Sequence, residues 1–258
     1  MSKGQLTIVG TGIFAPAHIS QEAIRHIQSS DVVFATIPDP LSMHYVQKLN
    51  TNVVSMGDLY EAGEDRVDTY EMMVTRILNA VREGQRVCAI YYGHPGIFVY
   101  AAHKAIKLAR EEGFEANLLP AISAEDCLFA DLGIDPASHG CQAYEASQFL
   151  FYQHSINSYS SLILWQLGVV GDTSLKLFRP ADNGMAMLQD KLLTLYPADH
   201  KVTVYEAATL PIIPPRIEEV ALSELSETKV REISTLFVPA VSFPPIDHEF
   251  CERWQVQP

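Results

Sequence analysis

Positive charge, cysteine and long apolar runs are all scarce in this chain of 258 residues. Lysine and arginine number 18 against 31 aspartates and glutamates, a formal net charge of -13. A nucleic-acid-coating surface needs the opposite sign, so that class is excluded, though a local basic pocket is not. The four cysteines, Cys88, Cys127, Cys141 and Cys251, form no C-x-x-C pair. Their spacing suits neither a zinc site nor a disulfide framework, and they read as reduced, mostly buried thiols. No apolar run approaches the roughly 18 residues of a membrane span. The opening MSKGQLTIVG passes straight into a strand-like run, without the apolar stretch and cleavage site of a signal peptide. These shortages predict a cytoplasmic protein with neither a membrane nor a nucleic-acid partner.

What is present is a globular composition, 48% apolar and 19% charged. The length suits one large domain or two small ones, with a full core and no need of disulfides. The first half alternates strand and helix. Strands are expected over Leu6 to Val9, Val32 to Ala35, Val53 to Met56, Arg86 to Tyr92 and Glu115 to Leu119. Helices are expected from the Ser20 cap through Ile27, over Leu41 to Leu49, Asp65 to Arg82, Phe98 to Glu112 and Ala124 to Leu132. Asp65 to Arg82 has the clearest helical spacing, with Val67, Tyr70, Val74, Ile77, Leu78 and Val81 along one face. Such alternation predicts a mostly parallel sheet covered on both faces. GIDPASHG, Gly133 to Gly140, reads as a linker. Beyond it come strands over Gln142 to Glu145, Leu162 to Leu167, Val202 to Ala207 and Ser234 to Val238, with a helix over Ala181 to Leu195 and more antiparallel pairing. The fold class is therefore α/β with two αβ domains, residues 1–134 and 135–241, and an irregular tail over 242–258.

Three loops sit at strand ends. VGTGIFAP, Val9 to Pro16, fits G-x-G-x-x-A formally through Gly10, Gly12 and Ala15. A dinucleotide site would start its helix at the loop and close the second strand with an acid. Here Pro16 and the cap at Ser20 place the helix later, and Thr36, Ile37 and Pro38 follow the second strand, so a plain glycine turn is as good a reading. YYGHPGIF, Tyr91 to Phe98, lies where open sheets bind ligands, with Gly93 and Gly96 allowing close approach and Pro95 stiffening the turn. LPAISAEDCLFADLG opens a helix through Ser123, and its small residues Ala121, Ser123 and Ala124 permit packing against a flat ligand.

The order of G-x-G loop, Y-x-G-x-P-G loop, P-x-I-S-A turn and second αβ domain resembles the tetrapyrrole methylase superfamily. The resemblance runs from about Gln5 to Ala240. It implies a class III methyltransferase with S-adenosylmethionine folded between two αβ domains, S-adenosylhomocysteine as product, and a homodimer. Porphyrin and corrin members usually carry an Asp where this chain has His94, a departure that speaks against a tetrapyrrole substrate.

A second constellation narrows the reading. In LYEAGEDRVDTYEMM, Arg66 and Tyr70 share a helix face, Tyr60 precedes the helix and Tyr92 ends the neighbouring strand. From spacing alone, an exposed arginine on a half-buried tyrosine explains the pattern. The set is nevertheless similar to the borosin peptide backbone α-N-methyltransferases. That resemblance implies a catalytic group of Tyr60, Arg66, Tyr70 and Tyr92, with Tyr70 or Tyr92 the base. It also implies cofactor contacts by Tyr92, His94, Ile97, Gln166, Ala207, Ser234 and Thr235, beside the loop residues Gly10, Gly12, Pro95, Ser123 and Ala124. Fungal members carry their substrate as a C-terminal extension, whereas this sequence ends at Pro258 after VSFPPIDHEFCERWQVQP. The expectation is the split type, iteratively methylating a separate precursor peptide whose recognition segment is neutral or basic. Rival readings are a porphyrin or corrin C-methyltransferase and a silent peptide-binding module. A metal hydrolase has no H-E-x-x-H pair behind it, and no metal is expected.

Overall fold

A computed structural model describes residues 4–60, 66–174, 176 and 179–257. By internal contacts the chain falls into two units. The first holds the described residues through Leu132, with Ser174, Lys176 and Ala207–Pro215. The second holds Gly133–Thr173, residues 179–206 and the described residues from Arg216 on.

The first unit runs β1 (Gln5–Gly10), α1 (Ala15–His18), α2 (Gln21–Ser29), β2 (Val32–Thr36), α3 (Pro40–Leu49), β3 (Val53–Ser55), α4 (Arg66–Arg82), β4 (Arg86–Tyr91), α5 (Tyr100–Glu111), β5 (Glu115–Leu118) and α6 (Ala124–Leu132). Its sheet has the order β3-β2-β4-β1-β5, and every pairing is parallel. Strand parity explains why the strands are apolar on both faces. Val32, Phe34, Val87, Ala89 and Tyr91 pack with Met73, Val74 and Ile77 of α4 and Ala101 and Ala105 of α5. Val9, Val33, Ala35, Cys88 and Ile90 face the other way, onto Ala23 and Ile27 of α2 and Val46 of α3. The expected cap is in place, for Ser20 Oγ accepts from the Ala23 amide at 3.0 Å. The expected helix start at Asp65 lies outside the described residues.

The second unit runs β6 (Cys141–Glu145), α7 (Ala146–Phe151), β7 (Ser161–Trp165), α8 (Gly184–Leu193), β8 (Lys201–Glu206), β9 (Arg216–Ala221), β10 (Thr235–Val238) and α9 (His248–Trp254). Its order is β6-β7-β10-β8-β9, with β6 and β7 parallel and the other described pairings antiparallel.

Several local expectations need correction. A turn of helix, α1, does follow the first glycine loop, because Pro16 sits in its first turn, where the missing N–H costs nothing. α5 starts two residues late, since Phe98 takes a left-handed conformation with φ 56°. α8 starts at Gly184 because Asn183 is left-handed, φ 63°. β9 was unforeseen: RIEEVA is an edge strand whose exposed glutamates hide the alternation. The tail is not wholly irregular, because Asp247 caps α9 by accepting from the Phe250 amide at 2.9 Å. Cys88 is buried, but the other three cysteines are only half-buried. Among the described residues, no helix is long and apolar enough to cross a membrane.

Candidate active site

The candidate site of the first unit lies at the carboxyl ends of β1, β2 and β4, where parallel strands deliver their loops to one rim. Gly10 is the register partner of Tyr91. Beyond them the two glycine loops zip together. The Thr11 amide donates to Tyr91 O at 3.0 Å, Gly12 N to Gly93 O at 3.2 Å, and Gly93 N to Gly12 O at 3.0 Å. A Cβ on Gly10 would stand 2.2 Å from Gly93 O and 2.7 Å from both Ala121 Cβ and Pro95 Cδ. Gly10 is therefore required for loop against loop, whatever ligand lies beyond. Gly93 differs: its φ is +69°, yet a Cβ there would meet nothing within 4 Å. That is an open, side-chain-free stretch of backbone of the kind a ligand can approach.

The histidine loop is pinned from both sides. His94 Nδ1 accepts from the Gly96 amide at 3.0 Å, which leaves the ring proton on Nε2. His103, on α5, donates from Nε2 to Gly96 O at 2.8 Å. Ser123 is similarly committed. Its amide and its hydroxyl both donate to Asp126 Oδ2 at 2.7 Å, and the Asp126 amide returns to Ser123 Oγ at 3.3 Å. This is a reciprocal cap on α6, followed at once by Ala124. Burial raises the Asp126 pKa, but the hydrogen bonds from Ser123 outweigh it and the net shift is downward.

A cavity of 340 Å³ opens beside these loops, with Tyr60, Tyr70, Tyr91, Tyr92, Tyr100 and Thr36 in its wall. Three of the four residues expected to be catalytic thus share one pocket. Tyr60 follows the 3-10 turn Gly57–Leu59, and Thr69 Oγ1 of α4 donates to Leu59 O at 3.3 Å, tying that turn to the helix that carries Tyr70. Arg66 begins α4, and its positive charge draws the Tyr60 pKa down. Desolvation by burial, followed by repulsion from Tyr70, acts more strongly and pushes Tyr60 up to about 12. Tyr92 is also pushed up to about 12, chiefly by burial, then by Cys127 and Asp39.

Sequence reasoning missed three members of this wall. Tyr100 opens α5, lies tilted against Tyr70 with ring centroids 6.2 Å apart and planes at 37°, and donates to Glu71 Oε1 at 3.1 Å. Lys104 pairs with the same Glu71 and holds its carboxyl below the usual range. The i, i+4 spacing of Tyr100 and Lys104 was the available signal. Tyr91 and Thr36 are register partners on β4 and β2. Tyr91 is 4% exposed and burial pushes its pKa upward. Neither Tyr91 OH nor Thr36 Oγ1 has a hydrogen-bond partner among the described residues. A buried polar group left so costs about 1–3 kcal/mol.

The remaining expected cofactor residues fall into two groups. Ala207, directly after β8, goes with the first unit, as do Gly10, Gly12, Tyr92, His94, Pro95, Ile97, Ser123 and Ala124. Gln166, Ser234 and Thr235 belong to the second unit and are brought together there. The Leu167 amide donates to Ser234 O at 3.0 Å, and Thr235 pairs with Tyr205. Gln166 is left-handed, φ 61° and ψ 44°, a strained state for a residue with a side chain. Ser234 Oγ donates to Glu206 Oε1 at 2.6 Å and accepts from the Arg231 amide at 2.8 Å, so its hydroxyl is occupied.

Residues 5–225 match the family model described as Tetrapyrrole (Corrin/Porphyrin) Methylases. The chain belongs to the tetrapyrrole methylase family. Among curated relatives of this chain, the methyltransferase/ribosomally synthesized cyclic peptide gymnopeptides precursor of Gymnopus fusipes is 41% identical over 240 residues. That match takes in 92% of this chain and 57% of the relative. The corresponding omphalotin A precursor of Omphalotus olearius is 35% identical over 259 residues, 99% of this chain and 62% of the relative. The chain thus spans about 57–62% of such relatives. In fold, this chain resembles a cobalt precorrin-4 methyltransferase of cobalamin biosynthesis, with TM-score 0.67, 16% identity and coverage of 91% and 94% of the two chains. The uroporphyrin-III C-methyltransferase of Thermus thermophilus gives TM-score 0.66, 18% identity and coverage of 96% and 99%. These likenesses establish two α/β sheets of tetrapyrrole methylase type.

Proposed function

We propose that this protein is an S-adenosylmethionine-dependent methyltransferase that iteratively methylates backbone amide nitrogens of a ribosomally made peptide. The observation that carries this reading is the phenol-walled pocket, with Tyr60, Tyr70 and Tyr92 gathered at the rim and the Arg66 charge acting on Tyr60. The printed names of the relatives, which join methyltransferase and cyclic peptide precursor, support the same class of substrate.

The residues present fit the methyl donor at Gly93, where the backbone is open and bare of side chains, while Gly10 and Gly12 are closed by their own protein neighbours and hold that loop in place. Within the first unit, Tyr92, His94, Pro95 and Ile97 would hold the donor from that loop, with Gly10, Gly12, Ser123 and Ala124 at the neighbouring strand ends. When bound, S-adenosylmethionine supplies an electrophilic methyl group on a sulfonium, with S-adenosylhomocysteine as the product.

A peptide nitrogen is a poor nucleophile because its lone pair is delocalised into the carbonyl. The chain must therefore hold the amide, accept its proton and stabilise the charge that moves to oxygen. Tyr70 or Tyr92 accepts the proton. Arg66, always protonated, favours tyrosinate or imidate charge. The tight, largely apolar pocket supplies orientation, a large part of the acceleration.

The test is mass spectrometry of a peptide incubated with the protein and the methyl donor. Arg66→Ala and Tyr92→Phe should each slow methyl transfer by about 10²-fold or more while the fold persists. Near-normal peptide methylation in either variant would sink the assigned roles. Methylation of an added porphyrinogen or corrin, with peptides untouched, would replace the substrate class. The finer reading, a precursor supplied as a separate chain to a homodimer, is met by methylation of the added peptide and a dimer mass in light scattering.

A further inference from the structure

We propose that the hydroxyls of Tyr91 and Thr36 are paired donors to the carbonyl oxygen of the peptide bond being methylated. The proposal rests on the peptide-methylation reading above and assigns this pair a catalytic role distinct from that of the proton-accepting phenol.

Geometry comes first. Thr36 and Tyr91 end adjacent parallel strands as register partners. Parity sends Tyr91 to the same face as Phe34 and Ala89, toward α4 and α5. Both residues line the pocket beside Tyr60 and Tyr70.

Neither hydroxyl is spent on the described residues: both are buried, and neither has a hydrogen-bond partner there. By contrast, the hydroxyls of Ser123 and Ser234 are taken up by carboxylates. A phenylalanine would complete the apolar cluster around Tyr91 equally well, so packing does not account for the oxygen. Buried polar atoms that lack partners concentrate at functional sites, where a ligand completes them.

The chemistry suits the pair. Removing the proton from an amide nitrogen moves negative charge onto the carbonyl oxygen. A donor there lowers the barrier most in a site that excludes water. Burial keeps the Tyr91 phenol protonated, so it donates rather than accepts. Thr36 supplies a second donor from the neighbouring strand. Together they would fix the amide oxygen at the sheet rim, leaving its nitrogen to face the base.

The experiment uses the full chain, wild type against Tyr91→Phe and Thr36→Val. Peptide methylation is followed by mass spectrometry, with kcat, KM for the peptide and thermal unfolding measured for each. Tyr91→Phe should lower kcat about 10²-fold and Thr36→Val about 10-fold. KM should stay within about twofold. The Tyr91→Phe protein should melt no lower than wild type, since the hydroxyl that is lost has no partner among the described residues. Unchanged kcat in Tyr91→Phe, with wild type active, overturns this proposal alone. A lowered melting temperature with proportionate loss of activity marks a structural hydroxyl and also overturns it. A wild-type protein that methylates no peptide nitrogen fails the underlying reading and removes this proposal with it.

Discussion

Tyr60 and Tyr92 depart from solvent tyrosines in the same direction, each pushed up to about 12 with burial as the leading cause. A phenol so placed is protonated at neutral pH, and if it must lose that proton to act, activity should climb with alkalinity. We expect log kcat to rise by about one per pH unit between roughly pH 7 and 10, read from methylation rates with saturating peptide. A flat profile would remove phenolate formation from the rate-limiting step. The same shift has a stability consequence of defined sign. The folded state binds the Tyr92 proton more tightly than the unfolded chain, whose tyrosines titrate near pH 10. The contribution is therefore fully present below about pH 10 and is lost as pH rises through about 12. Tyr92→Phe should flatten that alkaline loss in melting curves. At Gln166 the backbone itself is strained, with φ 61°. Gln166→Gly should raise stability by about 0.5–1 kcal/mol in denaturant titrations.

At the scale of elements, the parts legible in the sequence were those whose signals are local. The spacing of Val67, Tyr70, Val74 and Ile77 announces α4, and Ser20 announces the start of α2. The glycine loops were visible as loops, but their zipper was not, because it depends on β1 lying beside β4. Tyr91 was passed over for Tyr92 for a similar reason. It ends a continuous apolar strand and reads as core, and only the neighbouring strand brings Thr36 beside it. β9 escaped because an edge strand may keep its glutamates in solvent, and α9 because prolines precede its cap. The roles of Ser123 and Ala124 show how a motif can hold two meanings. Ser123→Ala removes a cap from α6 and should cost about 1 kcal/mol in unfolding experiments. Asp126 titrates lower in the folded state, so its contribution is present above the ordinary carboxylate range and lost as pH falls. The Ser123→Ala penalty should accordingly shrink in acid.

Over the whole molecule the net charge of -13 favours a neutral or basic peptide at long range. For a basic peptide KM should rise severalfold, roughly two- to tenfold, between about 0.05 and 0.5 M salt, with kcat little altered. A neutral peptide of the same core sequence should show no such trend, and equal salt sensitivity in both would discount the charge argument. The first sheet has a consequence of a different kind. All its pairings are parallel, so the chain leaves every strand at the same rim. Whatever changes there changes a loop, while the apolar strands beneath keep their packing. A scaffold of this form can be given new chemistry by rewriting its edge and leaving its interior alone.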